Sequence, residues 1–266
     1  MVHLGYNLPT MKKLLCLILS LFLILPPLPA MAWSECGHHI IAVMAFDQLP
    51  RERKAELLRI LKEHPRFAED FKIPRGVKNE TNWLIGRAGY WPDVVRSGSG
   101  KPFNRPTWHY QLGACNVIGN VANVPEFPGP LLADATMETQ ELHIAQALQL
   151  CKQVLHSPTE SDNNEAIAIC WVCHLVADAH QPCHAGSLYV EHVFDSKDGD
   201  RGANSIPTKQ SKNMHALWDG LLGREFNEGD VNRRIAEIQK TQFAFGLTNP
   251  DQWRQESRNA AKSDVY

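Results

Sequence analysis

The sequence predicts an all-α fold, a single mainly helical domain. Three observations carry that expectation. Apolar residues recur at helical spacing along most of the chain. Only residues 108–112 look like a short strand. The residues best suited to chemistry are themselves one helical turn apart, His174 with Asp178 and His215 with Asp219. No repeat, linker or second domain interrupts the pattern.

Taken in order, residues 1–32 read as a secretory signal. Lys12 and Lys13 precede an apolar run, Leu14 to Leu25, then Pro-Pro-Leu-Pro and Ala30-Met31-Ala32. An apolar run of about a dozen residues is short of the roughly 20 that a membrane helix needs. Cleavage after Ala32 would leave residues 33–266 as one domain starting on Trp33, secreted or periplasmic. That length supports a substantial core. Helices are expected over residues 37–49, 51–61, 82–96 with an interruption near Pro92, 135–155 as the longest, 164–179, 214–222, 231–240 and 250–265. The Pro- and Gly-rich stretch 116–130 reads as a long loop.

The chain carries a formal charge of −2. Losing two lysines and no acid with the signal takes it to −4. No basic tail or stripe is present, so long-range attraction of nucleic acid is not a property of the surface. Of seven cysteines, Cys16 lies in the signal. Cys36, Cys115, Cys151, Cys170, Cys173 and Cys183 remain, an even number that permits three disulfides in fifteen pairings. Cys170-x-x-Cys173 sits in an apolar helix without a second pair, which favours buried free thiols.

The densest signal is His174-Leu-Val-Ala-Asp178-Ala-His180-Gln-Pro182-Cys-His184. His174 and Asp178 share a helix face, and Pro182 breaks the helix so that His184 can turn back toward it. Asn-Met-His215-Ala-Leu-Trp-Asp219 repeats the spacing. Imidazole and carboxylate together suit zinc. Asp93 in Trp-Pro-Asp and His109 in Trp-His-Tyr add two further ligand types beside large aromatics.

With Trp33-x4-His38, Trp-Pro-Asp93-x2-Arg96, Trp-His109-Tyr, the His174 to His184 run, Asp200-Arg-Gly-Ala-Asn204 and Asn-Met-His215-x3-Asp219, the chain resembles the S1/P1 nuclease family, zinc enzymes related to bacterial zinc-dependent phospholipase C. The motifs occur in the family's order from Trp33 to Asp219. The resemblance implies a helical fold of the phospholipase C/P1 nuclease type with three zinc ions. Asp93, His109, His174 and Asp178 would hold one. His184, His215 and Asp219 would hold the second. The third would take Trp33 through its free amine and carbonyl oxygen, with His38 and a bridging oxygen of Asp178. Three Zn²⁺ bring +6 and three aspartates −3, so the site would attract a phosphodiester despite the acidic chain. Such ions acidify a water toward neutrality as nucleophile and stabilise the leaving oxygen.

Asp178 and Arg96 take the catalytic roles in this reading. Arg96 either orients Asp93, touches phosphate or makes a plain salt bridge. Tyr110 is the candidate base-stacking residue, and Asn204 the second substrate-binding candidate. Ala203 replaces the family's usual second Gly, and Leu112 stands where relatives often have a base-binding Asp. His39 points away from His38 and is expected to pack or face water. His180 lies off the ligand face and would support it from behind. His64, His143, His156 and His192 receive no role.

The implied substrates are single-stranded DNA and RNA, cleaved to 5′-phosphorylated products, with removal of 3′-phosphates as a related activity. The alternative is a phospholipase C, which usually has Glu at the position of Asp219. No stable membrane association is expected, and the protein is expected to be a monomer. Relatives usually run on beyond the Trp253-x-x-Glu256-Ser257 helix. The end at Tyr266 therefore suggests an exposed apolar patch beside that helix.

Overall fold

The computed structural model describes residues 33–241 and 249–266; the expected signal, residues 1–32, lies outside them. Helices α1 (Glu35–Asp47), α2 (Arg51–Lys62), α3 (Phe67–Asp70), α4 (Glu80–Val94), α5 (Ile144–His156), α6 (Asp162–Ala179), α7 (Met214–Asp219), α8 (Glu228–Ile238) and α9 (Pro250–Ala260) make up most of the regular structure among the described residues. Two short strands, β1 (Ala114–Ile118) and β2 (Ser187–Val190), pair in parallel, Val117 opposite Tyr189. The expectation of a mainly helical domain therefore holds.

Helix α6 is the centre. It packs against α1, α2, α4 and α5, so it is apolar nearly all round: Ala166, Cys170, Trp171, His174, Leu175 and Asp178 are all buried. Helices α1 and α4 approach closely because Gly86 and Gly89 have no side chain. A Cβ on Gly86 would lie 2.1 Å from His39 Nδ1, and one on Gly89 2.9 Å from Ala42 Cβ. Short polar caps fix where the ligand-bearing helices start. Ser161 Oγ accepts from Asn164 N at 3.3 Å, and Asn213 Oδ1 from Ala216 N at 2.8 Å.

Four sequence expectations need correction. Pro92 does not interrupt α4, because the next turn closes through Val95 N to Trp91 O at 3.2 Å. The longest helix is α6, 18 residues. Residues 135–143 form turns, since their carbonyls are claimed by other groups: Arg105 Nε donates to Met137 O at 2.8 Å and Trp108 Nε1 to Thr139 O at 3.0 Å. The strand expected at 108–112 is instead a 3₁₀ turn, Pro106–His109, started by proline at its first position. The strand begins at Ala114 and takes the first residues assigned to the long loop. Finally, the six cysteines are free thiols, so the disulfides allowed by their even number are not formed. The expectation of free thiols at Cys170 and Cys173 holds.

Candidate metal centre

Six elements bring distant ligands together. On α6, the spacing of four puts His174 and Asp178 on the face turned to α4 and the 3₁₀ turn Pro106–His109. From α4 comes Asp93, one residue past Pro92. The 3₁₀ turn supplies His109. After α6, Gln181 Oε1 accepts from Cys183 N, and the turn Pro182–His184 swings His184 back toward α6. Helix α7, capped by Asn213, presents His215 and Asp219 on one face. His38 reaches the same volume from α1.

All eight of these side chains are buried. His174 Nε2 is 3.1 Å from Asp178 Oδ2 and 2.8 Å from His109 Nδ1, while His109 Nδ1 is 3.3 Å from Asp178 Oδ2. His184 Nε2 faces His215 Nε2 at 3.2 Å, and His215 Nε2 lies 3.5 Å from Asp219 Oδ2. His38 stacks on His174 with ring centroids 4.0 Å apart, and its Nε2 is 3.5 Å from Asp178 Oδ1. Three groups have every donor atom within 4.8 Å of the others: His38, Asp93 and His174; His109, His174 and Asp178; His184, His215 and Asp219.

The donors fit zinc. Tetrahedral zinc with ligands near 2.0–2.1 Å spaces its donors by roughly 3.3 Å, close to the separations above. The imidazoles are also aimed. His174 Nδ1 donates to Gly89 O at 2.8 Å, His215 Nδ1 to Gly202 O at 2.6 Å, and His184 Nδ1 to His109 O. Each bond places the proton on Nδ1 and turns the Nε2 lone pair inward. Both nitrogens of His38, His109 Nε2, Asp93 Oδ2 and Asp178 Oδ1 are buried without a hydrogen-bond partner. A buried polar atom left in this way is costly unless something binds it.

Electrostatics agree. Burial, followed by the neighbouring imidazoles, pushes His38 far below the usual histidine range. Burial likewise lowers His109, helped by Arg96, and His184, helped by His215. These are neutral ligands in waiting. Burial also works to lower His174, but Asp178 and Asp93 beside it outweigh that and raise it. Burial raises Asp178 to about 6 and Asp219 to about 9. Carboxylates so reluctant to ionise call for a compensating cation.

The other expected residues sit around this cluster. Arg96 Nε donates to Asp93 Oδ1 at 2.6 Å, which is the orienting contact. Trp33 Nε1 donates to Ala177 O at 3.0 Å, and Ser34 N to Asp219 O at 3.0 Å, so the start of the domain is pinned between the two ligand helices. Tyr110 is partly exposed at the cluster's edge, its ring edge-on to His143. Asn204 donates to Arg201 O at 2.9 Å and accepts from Asn213 Nδ2 at 3.3 Å. His39 packs under Phe226. His180 supports no ligand from behind: it is exposed, against Trp253. Sequence reading missed Gln181, whose Nε2 donates to Asp219 Oδ1 at 2.7 Å. Its place inside the His-Gln-Pro-x-His run was the available signal.

A helical scaffold that buries eight imidazole and carboxylate side chains around a shared volume is a site able to hold metal ions. The S1/P1 Nuclease family model matches residues 33–266, and the chain belongs to that family. It is accordingly a nuclease, a hydrolase of phosphodiester bonds. No curated protein matches the sequence.

Proposed function

We propose that the protein is a secreted endonuclease with three zinc ions that cleaves single-stranded DNA and RNA to 5′-phosphorylated products and also removes 3′-phosphates from nucleotides. The observation that carries this reading is the continuous buried donor set. Asp178 is common to it, its Oδ2 within 3.3 Å of His109 and His174 and its Oδ1 3.5 Å from His38. Asp93, His109, His174 and Asp178 would hold one ion. His184, His215 and Asp219 would hold a second. His38 and the free amine and carbonyl of Trp33 would hold the third, with Asp178 Oδ1. Bound zinc supplies positive charge to the scissile phosphate and lowers the pKa of water toward neutrality.

The chain's own residues do the rest. Arg96 fixes the rotamer of Asp93 by its 2.6 Å bond, and Gln181 does the same for Asp219 at 2.7 Å. Burial of the aspartates keeps competing water out and strengthens every charge interaction. Tyr110 offers a partly exposed ring beside His109, a face on which an unpaired base can stack, and duplex bases are already stacked. Asp219, rather than Glu, favours a nuclease over a phospholipase. The test is turnover by the zinc-loaded mature protein. Single-stranded DNA and RNA should be cleaved well ahead of duplex DNA, with no hydrolysis of phosphatidylcholine. Faster hydrolysis of phosphatidylcholine would replace this reading with the phospholipase C.

A further inference from the structure

Beside the cluster, residues 199–203 form a turn of unusual backbone. Gly199, Arg201, Gly202 and Ala203 all lie in the left-handed region, with φ of 60°, 60°, 60° and 64°. That conformation is unfavourable at Arg201 and Ala203, so other contacts must hold it. Asp200 does so from the centre. It is fully buried, its Oδ1 accepting from Leu188 N and its Oδ2 from Ala203 N, both at 2.8 Å. Tyr266 donates its hydroxyl to Oδ1 at 3.4 Å, and Ser187 Oγ accepts from Gly202 N at 3.2 Å.

The turn delivers two carbonyls to His215: Gly202 O accepts from its Nδ1 at 2.6 Å, and Ala203 O from its backbone N at 3.3 Å. Gly202 also lies against Cys183, the neighbour of His184, so closely that a Cβ would fall 2.2 Å from Cys183 O. The backbone around His184 is held from the other side by α9. Arg258 Nε donates to Ala185 O at 3.0 Å, and Ser257 Oγ to Ala179 O at 2.6 Å.

We infer that Asp200 is a positioning residue for the His184, His215 and Asp219 site, acting through the left-handed turn, and that residues 257–266 brace the same site. The inference rests on the metal reading above and deepens it. An imidazole offers a directed lone pair only while its other nitrogen is tied. Turn the Asp200 carboxylate into an amide, and one of its two buried N–H partners loses its acceptor and faces another donor. The turn then relaxes, and the Gly202 carbonyl no longer holds His215 with Nε2 facing His184.

The experiment is zinc affinity, read ion by ion against a chelator, for wild type, Asp200→Asn and Tyr266→Phe. Nitrogen-15 spectra of the metal-free proteins follow the His215 Nδ1–H. Asp200→Asn should weaken one ion by about 10–100-fold and leave the others unchanged. The protected His215 Nδ1–H signal of wild type should be lost. Tyr266→Phe should weaken the same ion severalfold. A folded Asp200→Asn that holds every ion as tightly as wild type overturns the inference, however much its melting temperature falls. If Asp200→Asn does not fold, Tyr266→Phe decides, and unchanged affinity there overturns it. A wild type that binds no zinc sinks the metal reading and this inference with it. Wild type and variants that bind equally well sink this inference alone.

Discussion

The metal-free protein should lose stability as pH rises above neutral, because Asp219 is buried as an acid. Burial raises its pKa to about 9, against the lowering influence of the Gln181 hydrogen bond and with further raising by Asp178 and Asp93. The unfolded chain has ionised this group well below pH 7. Between about pH 7 and about pH 8.5 the folded state therefore holds one more proton than the unfolded state. A raised folded pKa means stability is lost with rising pH, at about 1.4 kcal/mol per unit. Over roughly 1.5 units the loss is about 2 kcal/mol, or about 4–8 °C in melting temperature for a domain of this size. His174, also raised, acts in the same direction. His38, His109 and His184 are depressed, so their cost falls mainly below about pH 6.5 and leaves this window alone. Zinc demands the ionised carboxylate, so the loaded protein should escape the decline. The assay is calorimetry of metal-free and zinc-loaded protein at both pH values, with Asp219→Asn alongside. A metal-free wild type equally stable at both, or a decline undiminished in Asp219→Asn, would refute the reasoning.

Further expectations are as direct. Asp178→Asn should abolish nearly all nuclease activity and lower the zinc content, measured together on one preparation. One extra residue ahead of Trp33 converts the proposed amine ligand to an amide, a poor donor. It should cost one zinc and most activity, and equal occupancy would remove Trp33 from the ligand set. Tyr110→Ala should weaken cleavage of oligonucleotides, by roughly 1–3 kcal/mol per stacked base, while sparing a small chromogenic phosphodiester. Equal loss on both substrates would end the stacking role. Gly86→Ala gains about 1 kcal/mol of helix propensity but places a Cβ 2.1 Å from His39 Nδ1. The clash in a packed core costs more, so denaturant unfolding should show net destabilisation of about 1–2 kcal/mol.

The clustering of these His and Asp side chains was legible in the sequence because its geometry is mostly local. The spacing of four on α6 and α7 and the proline before His184 each act within one helical turn. What escaped depends on partners far along the chain. Parallel pairing of β1 with β2 joins Ala114 to Ser187, and nothing within either strand announces it. Residues 135–143 carry a helical pattern, but Arg105 and Trp108 capture their carbonyls. The left-handed conformation of Ala203 is held by Asp200, against the preference of alanine itself. Gln181 was hidden by its position: it lies outside the helical spacing that singled out its neighbours, and its partner Asp219 is on another helix.

Diffraction from zinc-loaded crystals of the mature protein, recorded on both sides of the zinc absorption edge, tests the central claim most directly. The account predicts three anomalous peaks. One lies among His184, His215 and Asp219, one among Asp93, His109, His174 and Asp178, and one between His38 and the amine of Trp33, with Asp178 shared by the last two. A single peak, or none, in protein that still cleaves single-stranded DNA would contradict it.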